Sequence, residues 1–288
     1  MSEEHKHKDD NEAKRQPTIA VLLLHGLTGM PSEMRPLAKH LEKMGCRVEV
    51  PQLAGHGAGH KELLATTWKD WVAGAQSVLD KLTTESDFVF VGGLSMGSSI
   101  AAMLAKHNPR VSGIVFLSTT LRYDGRVVPA SEVFLPLVDL APSILGRIFY
   151  WTEEPPYGLK DERLQKFITR SVEAAKNGET GDFGLFRTYA GSLRQMSLLV
   201  AEVRKMAHQV TCPALVMHSL EDTMTSIQNA TEIYARLGSK DKSIVLITGC
   251  DHVLTLDLQK NKVAQEVGAF ITRVVKQSGK GKNSWIAA

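Results

Sequence analysis

The pentapeptide Gly93-Leu94-Ser95-Met96-Gly97 constrains the fold of this chain more than any other segment. An apolar strand pattern, FVFVG, leads into it, and a helical pattern, SSIAAMLA, follows Ser95. A serine between a strand and a helix needs a sharp turn, in which a Cβ at position 93 or 97 would collide with neighbouring backbone. The segment therefore predicts an elbow that lifts the Ser95 hydroxyl to the carboxyl end of a parallel sheet.

Strand and helix patterns alternate along most of the chain. Apolar runs at 18–24, 46–50, 88–91 and 113–117 predict four strands, and helical spacing follows each of the first three. The stretch 121–209 holds helical patterns and prolines but no convincing strand, and strand patterns resume at 214–217 and 243–247. We therefore predict an α/β fold with a mostly parallel sheet flanked by helices, and a helical cap inserted after the fourth strand.

The same patterns predict the domain organisation. The core comprises 17–120 and 210–276, and the cap comprises 121–209. The first 16 residues hold almost no apolar side chain, so we expect a disordered polar tail there. The segment 277–288 is predicted to be a frayed C-terminal tail.

Composition excludes several classes of protein. The 288 residues are 43% hydrophobic and 23% charged, which is typical of a globular protein. A net charge of +3 with scattered Lys and Arg does not favour nucleic acid. Prolines and charges interrupt the most apolar segment, 127–151, so no integral membrane segment is predicted. Without a signal-peptide pattern, three widely spaced cysteines predict reduced thiols and a cytoplasmic location. The oligomeric state stays open.

Two loops after later strands carry candidate partners for Ser95. A serine hydroxyl is a poor nucleophile until a base takes its proton, and the base needs an acid to orient it. Glu221 and Asp222 follow the fifth predicted strand, and His252 follows the sixth. With this elbow the order along the chain is serine, acid, histidine. We predict Ser95 as nucleophile, Asp222 as acid and His252 as base, with Glu221 and Asp251 as the alternative acids.

The segment at 25–29, HGLTG, directly follows the first strand. An oxyanion hole needs two N–H donors, and we predict those of Leu27 and Met96. Gly26 lets the backbone approach the reacting carbonyl. His25 is expected to brace this loop through ring hydrogen bonds, and the remaining histidines are interpreted as structural. The sequence implies no metal and no cofactor.

Five segments in order resemble those of bacterial carboxylesterases and monoacylglycerol lipases of the α/β-hydrolase superfamily. They are LLLHGLTG at 22–29, GHG at 55–57, GLSMG at 93–97, HSLED at 218–222 and DHVLTLD at 251–257. The resemblance covers about 18–275, excluding most of 121–205. It implies an α/β-hydrolase fold, a triad of Ser95, Asp222 and His252, and oxyanion donors at Leu27 and Met96. At 225–226 the family usually has Val and Pro, where this chain has Thr and Ser. We expect neither to touch the chemistry.

These features together predict a serine hydrolase that forms an acyl-enzyme on Ser95. The predicted partner is a small-molecule ester that is neutral, with a short-to-medium acyl chain or monoacylglycerol-like. Much of the apolar surface of 127–151, in the cap, is expected to pack on itself and on the core, and some of its side chains are predicted to line the acyl pocket. Two alternatives stay open: a thioesterase or acyltransferase using the same triad, and a non-catalytic binding protein on this fold.

Overall fold

The computed structural model describes residues 16–126, 145–176 and 187–279. Its main sheet has six strands in the order β2-β1-β3-β4-β7-β8, and every neighbouring pair is parallel. The predicted α/β fold with a mostly parallel sheet is thereby confirmed. The strands are β1 (Ile19–Leu24), β2 (Arg47–Glu49), β3 (Phe88–Leu94), β4 (Val111–Leu117), β5 (Tyr150–Thr152), β6 (Arg187–Tyr189), β7 (Ala214–Ser219) and β8 (Lys242–Ile247).

The helices are α1 (Arg35–Lys43), α2 (His60–Leu64), α3 (Trp68–Glu85), α4 (Met96–His107), α5 (Glu162–Lys176), α6 (Ala190–Met206), α7 (Ile227–Arg236) and α8 (Lys260–Gln277). Helices cover both faces of the main sheet, whereas α5 packs in a separate small cluster with Leu159. Side chains alternate between the two faces of a strand. In β1, Ala20, Leu22 and Leu24 pack with α3, α4, α6 and α7, whereas Ile19 and its alternate neighbours pack with α1 and α8. Both faces of the sheet are therefore buried.

The stretch between β4 and β7 differs from its prediction. The expectation that it holds no strand is wrong, because β5 and β6 pair as a small antiparallel sheet. Each has only three residues, which is too short for a periodic sequence pattern. Helix α6 packs against α3 and α4, so its apolar face belongs to the core of the main sheet. The division into core and cap stays a prediction.

Parts of several predictions lie outside the described residues. They include almost all of the polar tail (1–15), most of the C-terminal tail (280–288) and two parts of the cap (127–144 and 177–186). None of the helices that the structure describes is long and apolar enough to cross a membrane.

Candidate active site

Ser95 lies in a tight turn between β3 and α4. Its backbone has φ 53° and ψ −117°, in the left-handed range that non-glycine residues rarely adopt. A Cβ at Gly93 would lie 2.1 Å from the carbonyl carbon of Gly97, and a Cβ at Gly97 would lie 2.3 Å from the Leu24 oxygen. Only glycine fits at both positions, because the turn brings α4 directly against the ends of β3 and β1.

The Ser95 hydroxyl is paired with a threonine. Ser95 Oγ lies 2.8 Å from Thr120 Oγ1, and the Thr120 hydroxyl is also 3.3 Å from the carbonyl oxygen of Ser118. If Thr120 donates to that carbonyl, its oxygen accepts the proton of Ser95. No hydrogen bond joins Ser95 to His252 within the described residues, although both side chains line the same cavity. Such contacts often tighten only when substrate is bound.

His252 is held by a carboxylate. Its Nδ1 lies 2.8 Å from Asp222 Oδ2, and because an ionised carboxylate can only accept, Nδ1 carries the proton. The Nε2 atom is then the one that can accept. Thr225 donates its hydroxyl to the same Asp222 oxygen at 2.9 Å, so the expectation that position 225 does not touch this group is wrong. The other carboxylate oxygen accepts the N–H groups of Met224 and Thr225.

Burial and charge act in opposite directions on this pair. Burial alone would raise the pKa of Asp222, but the neighbouring His252 ring holds that pKa below its ordinary value. Burial would lower the pKa of His252, but Asp222, Asp251 and Glu33 outweigh it and raise that pKa above 6.5. The arrangement therefore stabilises an imidazolium at His252.

The two alternative acids have other partners. Glu221 accepts a hydrogen bond from the Lys160 ammonium and another, at 2.6 Å, from the backbone N–H of Gly249. Asp251 accepts the N–H and hydroxyl of Thr223 and the backbone N–H of His252, so it binds the loop and not the ring. Of the three carboxylates considered, the structure brings Asp222 to the imidazole.

The loop at 25–29 lies against Ser95. A Cβ at Gly26 would be 3.6 Å from the Ser95 Cβ, Leu27 lines the cavity, and Met96 is the first residue of α4. His25 bonds through both ring nitrogens: Nδ1 donates to the Gly26 carbonyl at 2.9 Å, and Nε2 accepts the N–H of Leu53. Burial lowers the pKa of His25 to about 3, so this ring is neutral and braces the loop as expected.

A cavity of about 370 Å³ joins these groups. Ser95 and His252 lie on its wall together with apolar cap side chains such as Trp151, Leu159 and Ile168. Of the apolar residues 127–151, some of which are predicted to line the acyl pocket, Trp151 lies on the wall of this cavity. Ile148 and Phe149 are 59% and 57% exposed and do not line it. The apolar residues at 127–144 lie outside the described residues.

The same cavity has acidic groups on its wall. Glu33 accepts the Gly26 N–H at 3.3 Å, and Glu153 accepts the Thr28 hydroxyl at 3.0 Å. Burial raises the pKa of both carboxyl groups, that of Glu33 to about 7. Glu154 also lines the cavity, whereas no Lys or Arg does so among the described residues.

Asp257 connects the segment between β5 and α5 to the loop that carries His252. Its buried carboxylate accepts the backbone N–H groups of Lys160 and Asp161 from that segment and, at 2.6 Å, that of Asp251. Segments that are about 90 residues apart in the chain therefore share one carboxylate beside the cavity.

Sequence reasoning missed Thr120, Thr225 and the two glutamates Glu33 and Glu153. One signal was available for Thr120, because it closely follows β4, and the carboxyl ends of parallel strands meet at one edge of the sheet. Glu153 lies in the cap and belongs to no motif, so no sequence signal could have found it.

The chain is similar to known proteins over most of its length. Residues 15–259 match the Hydrolase_4 family, described as serine aminopeptidase, S33. The chain belongs to this family. It has the α/β-hydrolase fold, and its enzyme class is that of the carboxylic ester hydrolases, which confirms the predicted class.

Three relatives of this Hydrolase_4 member illustrate the likeness. The thermostable monoacylglycerol lipase of Bacillus sp. (strain H-257) is 29% identical over 88% of this chain and 91% of its own. The carboxylesterase of Bacillus subtilis (strain 168) is 27% identical over 88% and 93%. A solved structure from a study of the metagenome-derived lipolytic enzymes LipS and LipT has a TM-score of 0.73 at 27% identity, over 90% of this chain and 95% of the other.

Proposed function

We propose that this hydrolase cleaves neutral carboxylic esters through an acyl-enzyme on Ser95. The observation that carries the proposal is the 2.8 Å pair between His252 Nδ1 and Asp222 Oδ2, on a cavity that Ser95 also lines. A histidine whose Nδ1–H is held by a carboxylate presents Nε2 as a base, and a serine on a sharp elbow is the group it activates.

The proposed reaction begins when the Ser95 hydroxyl turns from Thr120 to His252 Nε2. His252 takes the proton as Ser95 Oγ attacks the ester carbonyl, and Asp222 stabilises the imidazolium. The N–H groups of Leu27 and Met96 hold the negative oxygen of the tetrahedral intermediate. His252 then gives its proton to the leaving alcohol. The same ring then takes a proton from water, which attacks the acyl carbonyl, and it returns that proton to Ser95 Oγ as the carboxylic acid leaves.

The charge of the cavity wall supports neutral substrates. Among the described residues no Lys or Arg lines the cavity, so no cation is available there to hold an anionic acyl or leaving group, and each carboxyl group on the wall repels an anion when it is ionised. The apolar side chains favour an acyl chain longer than acetyl, since each buried methylene contributes about 0.8 kcal/mol. The relatives named monoacylglycerol lipase and carboxylesterase support the same substrate class, including a monoacylglycerol.

The nucleophile is tested by Ser95→Ala. We expect loss of fluorophosphonate labelling and a fall in ester hydrolysis of about 10⁴-fold or more. The matched control is Ser99→Ala, because Ser99 is equally buried in α4 and its hydroxyl has no hydrogen-bond partner among the described residues. It should keep both activities. Near wild-type turnover in a folded Ser95→Ala protein would refute the proposal.

The substrate class is tested with p-nitrophenyl esters of increasing chain length and with a monoacylglycerol. A medium chain should exceed acetate about tenfold or more in kcat/KM. A hemisuccinate ester and an aminoacyl p-nitroanilide should be much poorer. A preference for acetate or for the anionic ester would contradict the substrate class and leave the nucleophile untouched. Added alcohols and acyl thioesters test acyl transfer and thioester cleavage directly.

A further inference from the structure

We propose that His218 is a positioning residue that acts on His252 through Thr225 and Asp222. Its ring N–H holds the turn after β7 in the shape that directs Asp222 Oδ2 toward His252. This inference rests on the proposed function, in which His252 is the base and Asp222 orients it. It gives a role to a histidine that sequence reasoning interpreted as structural.

The contacts of His218 define which ring nitrogen carries the proton. The side chain is fully buried near the end of β7, and its Nε2 lies 3.1 Å from the carbonyl oxygen of Thr225 and 3.5 Å from Asp222 Oδ2. A carbonyl oxygen can only accept, so Nε2 carries the proton. Nδ1 is buried and has no partner among the described residues. The ring is therefore a neutral donor pointing at the acid turn.

Thr225 links this donor to the acid. Its carbonyl faces the His218 ring, its N–H donates to Asp222 Oδ1 at 2.8 Å, and its hydroxyl donates to Asp222 Oδ2 at 2.9 Å. The backbone N–H and the hydroxyl of Thr225 thus hold the Asp222 carboxylate, and its carbonyl ties the residue to His218. An apolar side chain at position 218 would remove the donor that fixes the Thr225 carbonyl, and the turn would lose one of its anchors to β7.

His218 also modifies the charge that His252 experiences. The groups that act on His252 are Asp222, Asp251, Glu33, Glu153 and His218, while Asp222, Asp124 and His252 act on His218. Burial lowers the pKa of His218 although Asp222 opposes this, so the ring stays neutral. Its Nε2–H donates to the Thr225 carbonyl and lies 3.5 Å from Asp222 Oδ2, so its partial positive charge offsets part of the carboxylate's negative charge. Without it, the pKa of His252 should rise.

Two variants separate this role from simple packing. His218→Leu removes the donor, whereas His218→Gln keeps an N–H donor the same number of bonds from the backbone as Nε2. We expect His218→Leu to raise the midpoint of the acid limb in the pH profile of kcat/KM by about half a pH unit. It should also lower kcat roughly fivefold, with little change in KM. His218→Gln should restore both values. The pKa of His252, followed by NMR in the Ser95→Ala background, should move in the same direction.

The outcomes are distinguishable from failure of the proposed function. Activity retained in Ser95→Ala refutes the nucleophile, whereas the NMR titration of His252 needs no turnover. A folded His218→Leu protein with a wild-type limb and kcat would overturn the inference, and so would a His218→Gln protein no better than His218→Leu. If His218→Leu does not fold, ¹⁵N NMR of the wild-type ring decides: an Nε2–H tautomer that does not titrate supports the inference, and an Nδ1–H tautomer or an imidazolium overturns it.

Discussion

The hydroxyl of Thr225 donates to Asp222 Oδ2 at 2.9 Å, and the same oxygen faces His252 Nδ1 at 2.8 Å. One carboxylate oxygen therefore serves two side-chain donors in a fully buried position. Each donor restricts the directions from which the other can approach. The imidazole is consequently oriented by a small network, in which Thr225 replaces the Val that the family usually has at this position.

Replacing Thr225 with Val tests this network. Val keeps the volume and removes only the hydroxyl, so the fold should be retained. The loss of one hydrogen bond to a carboxylate should lower kcat by roughly two- to tenfold. Steady-state kinetics with a medium-chain ester checks this, with thermal melting as the control for folding. An unchanged kcat would mean that the hydroxyl does not contribute to the orientation of His252.

The identity of the acid is tested by two adjacent substitutions. Asp222→Asn should reduce kcat by about 10³- to 10⁴-fold, because the amide can hold the wrong tautomer of His252. Glu221→Gln is the matched control. It weakens the ion pair with Lys160, keeps an acceptor for the Gly249 N–H, and should change kcat by less than about threefold. The reverse pattern would assign the acid to Glu221.

The activity should rise with pH along a single-proton limb above pH 6.5. His252 must be neutral to take the Ser95 proton, and the carboxylates of Asp222, Asp251 and Glu33 raise its pKa above 6.5 despite burial. A kcat/KM profile measured from pH 5 to 9 checks the position of the limb. Chelators should not change the profile. A limb midpoint well below 6.5 would contradict the assignment to His252.

Glu33 should make the protein less stable at alkaline pH. Burial raises its pKa from 4.5 to about 7, so the folded state disfavours the ionised form. This cost is absent below pH 4.5, grows as pH rises toward 7, and is fully present above 7. Glu33→Gln should therefore stabilise the protein by about 1–3 kcal/mol at pH 8 and little at pH 4.5. Urea unfolding at both pH values checks this, and exposed Glu42→Gln should show no such difference.

The glycines near Ser95 should differ in their tolerance of a methyl group. A Cβ at Gly97 would meet backbone oxygens of Leu24 and His25 at 2.3 and 2.6 Å, so Gly97→Ala should abolish folding or destabilise severely. A Cβ at Gly26 meets only ordinary contacts, the closest at 3.6 Å from the Ser95 Cβ. Gly26→Ala should fold and lose kcat/KM by crowding the reaction site. Similar melting temperatures for both variants would contradict the packing at the elbow.

The parallel sheet was predictable because each of its features has a local sequence signal. Strands buried on both faces are continuous apolar runs, and the helices between them have a different period. The position of Ser95 followed from the elbow, and that of His252 followed from the end of the last strand. These predictions depend on backbone geometry that one strand and its loop determine alone.

Other features have no sequence pattern that shows them. The sequence favours Asp222 over Glu221 as the acid, but the contacts that distinguish them lie in the turn at 222–225, in which Asp222 accepts two backbone N–H groups. The roles of Thr225 and His218 depend on the same turn, and no pattern along the chain reveals it. The short β5–β6 pair and the carboxyl of Glu153 likewise require the tertiary structure, since three-residue strands and single acidic residues carry no periodic signal.

The carboxylate of Asp257 has a consequence for engineering by cap exchange. It accepts the backbone N–H groups of Lys160 and Asp161 on one side and of Asp251 on the other, so the segment at 160–161, which we call the neck of the predicted cap, and the loop at 251–257 are held together by one carboxylate. A graft that brings a foreign cap with its own neck, but keeps the native loop at 251–257, would leave this carboxylate without its cap donors. Recombination of substrate specificity in this scaffold should therefore transfer both segments together, and chimeras that divide them should melt at lower temperature than those that do not.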